Sequence, residues 1–74
     1  MKIEYFKDTD TLYIELLEES ATMQKEIRKN FVLDLAPDGR VVGIEIEHAS
    51  EEVKVKNLLA IAIPDVEVKS AGML

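Results

Sequence analysis

Cysteine is absent from this 74-residue chain, which removes disulfides, thiolate metal ligands and a cysteine nucleophile at once. Tryptophan is absent too, and only two prolines and three glycines punctuate the sequence. Bases are scarce: 9 Lys and Arg stand against 15 Asp and Glu, a formal net charge of -6. That balance argues against nucleic acid, whose phosphates are normally met by clustered Lys and Arg, and against anionic membrane surfaces. No apolar run approaches the roughly 18 residues needed to span a bilayer. Met1-Lys2-Ile3-Glu4-Tyr5 carries an acid where a signal peptide needs a basic and then an apolar segment, so a cytoplasmic location is expected. A chain this short supports one small core and one domain, residues 1–74.

What is present is alternation. Lys2 to Lys7 alternates polar with apolar and meets Asp8-Thr9-Asp10, a cluster that bonds its own backbone and favours a tight turn. Thr11 to Leu17 returns, with Leu12, Ile14 and Leu16 on one face. After a polar loop from Glu18 to Thr22, Met23 to Ala36 reads as the longest extended stretch, with Ile27, Lys29, Phe31, Leu33 and Leu35 sharing the inward parity. Pro37-Asp38-Gly39 predicts a type I turn with a glycine bulge. Val41 to Glu47 is the partner strand, with Val42, Ile44 and Ile46 facing in.

Beyond His48 the period changes. Ser50 with Glu51 and Glu52 predicts a helix start, and Val55, Leu58, Leu59, Ala62 and Ile63 form one apolar stripe that Pro64 ends. A helix over about 50–63 follows. A competing extended reading rests on Val53-Lys54-Val55-Lys56 and Ala60-Ile61-Ala62-Ile63. Asp65 to Lys69 could add a short C-terminal strand, and Ser70 to Leu74 reads as loose tail. The expected class is α+β: a four-stranded antiparallel sheet of two hairpins, with a C-terminal helix packed on one face.

The outward parity carries Phe6, Tyr13, Leu17, Val32 and Val41 among its polar residues. Scattered surface apolar residues are ordinary, but gathered into a patch these five would suit a second copy of the chain or another protein. A homodimer is therefore expected, with an exposed strand edge as a second route. The only carboxylate groupings worth weighing as a site for a hard cation are Asp8 with Asp10, and Glu45, Glu47 and His48. A turn accounts for the first pair and a solvated strand face for the glutamates, so no metal is assigned. The serines lack a G-x-S-x-G setting and no glycine-rich phosphate loop occurs. No catalytic residue and no cofactor is assigned, and an enzyme using those surface carboxylates stands as an alternative.

Two segments, with Phe31-Val32-Leu33-Asp34-Leu35 between them, carry a resemblance. Asp10-Thr11-Leu12-Tyr13-Ile14, and Asp38-Gly39-Arg40 running on through Val41-Val42-Gly43-Ile44-Glu45-Ile46-Glu47-His48-Ala49-Ser50, resemble the small bacterial and archaeal family catalogued as domain of unknown function 2283, over about residues 2–52. The resemblance implies a compact antiparallel sheet followed by a helix, and no reaction. It also implies, from genes lying beside small toxin-like proteins in some genomes, an antitoxin-like role. The acidic chain would suit a small basic toxin as partner.

Overall fold

A computed structural model describes residues 1–60 and 66–71. Six strands form one sheet: β1 Lys2–Phe6, β2 Thr11–Glu15, β3 Met23–Arg28, β4 Phe31–Leu35, β5 Val41–Ile46 and β6 Glu67–Ala71, in the order β3-β4-β5-β2-β1-β6. Two short helices, α1 Ala49–Glu52 and α2 Val55–Leu59, lie between β5 and β6. The α+β class stands, but the sheet is six-stranded and mixed rather than four-stranded and antiparallel, because β6 runs parallel to β1.

The extra strands have separate origins. The stretch from Met23 to Ala36 is not one strand. It folds at Lys29-Asn30, where Asn30 takes a left-handed φ of 72°, a conformation that asparagine tolerates better than most residues. The Asn30 side chain is itself tied down, its Nδ2 donating to Glu52 Oε2 at 2.9 Å. A bulge between Glu26 and Arg28 then shifts the parity of β3. Ile27, expected inside, is 54% exposed, and Arg28 stands over the Phe31 ring at 4.9 Å while pairing with Glu52. The sixth strand starts two residues later than the sequence suggests, and it includes Ser70 and Ala71 of the expected tail.

Register fixes the two faces. Ile3, Ile14, Ile44 and Leu33 lie opposite one another across β1, β2, β5 and β4, as do Tyr5, Leu12, Ile46 and Phe31. Leu12 is fully buried, with Ile3, Ile46 and Ala49 around it. Tyr5, Ile14, Phe31, Ile44, Val53, Val55, Leu58, Val66 and Val68 pack against this centre. The inward alternation read from Leu12, Ile14, Phe31, Leu33, Ile44 and Ile46 therefore matches the helix side of the sheet.

The helix over 50–63 is corrected. Val53 is extended, at φ -140° and ψ 165°, and separates α1 from α2. The reason lies in the spacing: at 100° per residue, positions 53 and 55 of a continuous helix would point about 200° apart. Both valines instead reach the core, which the extended break permits. Ala62, Ile63 and Pro64, on which the stripe and its stop also rested, fall outside the described residues, as does Ile61 of the competing extended reading. The turn at Pro37-Asp38-Gly39 forms as expected: Gly39 N donates to Ala36 O at 2.9 Å, and Gly39 has φ 90°. No helix among the described residues is long and apolar enough to cross a membrane.

Candidate functional site

Two polar constellations stand out, one at each end of the resemblance-bearing segments. The first joins the β1–β2 turn to the start of α1. Asp10, in the left-handed region at φ 55°, accepts from Ser50 N at 3.0 Å and Ser50 Oγ at 2.7 Å, and its carbonyl accepts from Ala49 N at 2.8 Å. Tyr5 Oη donates to the same carboxylate at 2.7 Å. Ser50 is thus not the N-cap that the sequence suggests. That place falls to His48, itself left-handed and making no side-chain cap bond. The free amides at the helix start are met by an aspartate forty positions earlier, which does from a distance what an N-cap side chain does locally. The Tyr5 hydroxyl first, then Ser50, hold the Asp10 carboxyl below its ordinary range, while the same contact raises the Tyr5 phenol. An aspartate and a serine hydroxyl so engaged make a structural joint. No imidazole is interposed to act as a base.

The second constellation lies on the face away from the helices. Asp34, 8% exposed, and Glu45 on the neighbouring strand share one donor: Gln24 Nε2 reaches Asp34 Oδ1 at 3.0 Å and Glu45 Oε2 at 2.7 Å. Burial first, then the adjacent Asp34 and the charge of Glu47, push the Glu45 carboxyl above its ordinary value. The ring end of Tyr13 covers Gly43, where any Cβ would overlap its ring and hydroxyl. Its phenol is raised by burial and by Asp34. Beside this group a shallow depression of about 410 Å³ is bordered by Ala21, Thr22, Met23, Gln24 and Asp34.

The weighed carboxylates do not converge. Asp10 belongs to the helix joint and Asp8 is exposed in the turn, while Glu45 faces Asp34 across the sheet. Glu47 and His48 are exposed at the end of β5. Among the described residues no three His, Asp or Glu side chains gather as a metal centre. Sequence reasoning missed Tyr5, Gln24 and Asp34. Of these only Asp34 leaves a trace, as the one acid inside the apolar run Phe31-Val32-Leu33-Asp34-Leu35.

Of the five residues expected as a contact patch, Phe6, Tyr13 and Val32 lie on this outer face by register, and all are half-buried. Leu17 and Val41 sit at the irregular end of β2 and β5, where Leu16 N and Leu17 N both donate to Val42 O. The five are not contiguous, because Glu45 stands between Tyr13 and Val32. The face is acidic overall: register places Glu4, Glu15, Glu26, Asp34, Glu45 and Glu67 on it, against Lys2 and Lys69.

The fold and these joints define a small α+β domain with a mixed sheet roofed on one side. The model of the family described as protein of unknown function (DUF2283) matches residues 2–50, and the chain belongs to that family. No curated protein and no solved structure matches the chain. The two segments that carry the family resemblance meet at both constellations: Asp10 with Ala49 and Ser50, and Tyr13 with Gly43.

Proposed function

We propose that this chain is a non-catalytic protein-interaction module that associates with a second copy of itself. One observation supports this above the rest: among the described residues, a six-stranded sheet has only part of one face roofed by two short helices. Leu33 and Leu35, on that same face by strand alternation, lie outside the helix-packed core, and Met23 beside Leu35 is 53% exposed. A single layer of this size encloses no pocket among its described residues deep enough to surround a substrate, and its depressions are open to solvent. Its polar clusters are committed to holding strands and helix together. Gel filtration with light scattering at tens of micromolar tests the proposal: a dimer mass is expected, and a strict monomer overturns it.

A second reading draws on the acidic outer face. Six acids against two lysines on one sheet surface favour a basic protein partner, in keeping with an antitoxin-like role. Co-purification with the product of the neighbouring gene at low salt is expected, together with release at high salt. Absence of co-elution at low salt counts against this reading.

A further inference from the structure

The edge strand β3 has little besides its backbone to hold it. It pairs with β4 alone and all six of its residues are exposed, so no buried apolar side chain fastens it. Among the described residues its polar side chains are tied at two places. Arg28 lies over Phe31 and pairs with Glu52 near the hairpin turn. Towards the other end, Gln24 Nε2 spans to Asp34 of β4 at 3.0 Å and to Glu45 of β5 at 2.7 Å. Those two acids are set against each other. Asp34 is 8% exposed, and Glu45 is half-buried within hydrogen-bonding reach of it, yet two carboxyls bond to one another only while one carries a proton. By register the groups around the pair are Tyr13 and Glu15 of β2, Glu26 of β3 and Glu47 just past β5. No base answers them: β2, β4 and β5 contain no lysine or arginine, the outward Lys2 and Lys69 stand on β1 and β6, and Lys25 and Arg28 of β3 lie on the other side, with Leu33 and Phe31.

We propose that Gln24, Asp34 and Glu45 form an acid-closed clasp on the edge strand β3. With one proton held between the two carboxyls, Gln24 bonds both and the β3–β4 hairpin is shut. When that proton passes to water, which meets Asp34 at the depression of about 410 Å³, the two charges repel and Glu45, the less buried of the pair, turns to solvent. Gln24 then keeps Asp34 alone, β3 is no longer tied to β5, and the hairpin opens more often. Burial and Asp34 lift the Glu45 carboxyl above 4.5, so closure is complete at lower pH and is lost as pH rises through that raised value.

Amide exchange read residue by residue by NMR at successive pH values tests the clasp. After correction for the intrinsic pH dependence of exchange, β3 amides should exchange about threefold to tenfold faster once Glu45 is ionised, the worth of one hydrogen bond. Amides of β6, at the opposite edge and opening without the clasp, should not respond. The Gln24 side-chain amide protons should shift with the same midpoint as the Glu45 carboxyl carbon, a reading that needs no variant. Glu45→Gln, which still bonds both Gln24 and Asp34 but cannot ionise, should keep β3 protected across the whole range. Glu26→Gln, which removes a neighbouring acid from β3 itself, should leave the response in place. A response that survives in Glu45→Gln, or a wild type whose β3 exchange and Gln24 protons stay constant while the Glu45 carbon titrates, overturns the proposal.

Discussion

Asp10 couples two distant parts of the chain through four hydrogen bonds, three to its carboxylate and one to its carbonyl. Asp10→Ala should cost about 2 kcal/mol in urea unfolding, from the lost helix-start acceptor and a non-glycine residue left in the left-handed region without a side chain to bond locally. Asp10→Asn, which keeps one oxygen and tolerates that conformation, should cost less than half as much. Because the folded value lies below 3.8, the Asp10 contribution is complete at higher pH and is lost as pH falls through the depressed value. Glu45 behaves oppositely. Its folded value lies above 4.5, so its contribution is complete below that point and declines as pH rises through the raised value. Glu45→Gln, which mimics the protonated acid, should flatten the stability profile above pH 4.5, measured as the urea midpoint at successive pH values. A profile unchanged from wild type would contradict that assignment. At Gly43, Ala should cost about 1–3 kcal/mol through overpacking against Tyr13. Tyr13→Ala in the same chain should recover most of that loss, a coupling that a double-mutant cycle reads directly.

The sheet's central elements were legible because a two-residue rhythm survives wherever one face is buried. Leu12, Ile14, Ile44 and Ile46 announce β2 and β5 by their alternation, and Pro37-Asp38-Gly39 announces the turn between β4 and β5. The alternation misled at Lys29-Asn30, where a hairpin and a bulge occur inside a run whose parity happens to continue across both. Only the left-handed preference of Asn30 hinted at the fold-back. The helix was legible in its start, and its break only in the competing alternation of Val53-Lys54-Val55-Lys56, which sets both valines on one side when Val53 is extended. The candidate site was least legible: Gln24, Asp34 and Glu45 come together through strand pairing across twenty-one positions, which no local spacing encodes. At this scale β6 invites a test. Val68 packs on the core opposite Ile3, so Val68→Asp should detach β6. Hydrogen exchange should then quicken at β1 amides while β4 and β5 stay protected. Uniform loss of protection would mean that the six strands open as one unit.

Taken whole, the molecule gathers acids on the face away from the helices, within a net charge of -6, while the helices carry Glu51 and Glu52 together with Lys54 and Lys56. Two copies of so acidic a chain repel through solvent, so self-association should tighten as salt screens that repulsion, a gain measurable by sedimentation equilibrium. The joint at Asp10 has a temporal consequence as well. Four residues are too few to nucleate a helix unaided, and the acceptor that starts α1 sits forty residues upstream. A peptide cut to residues 47–60 should therefore be coil in water, and during folding this turn of helix should appear only after the first hairpin has closed, making it a late marker of the native state and among the first elements to vanish when that hairpin opens.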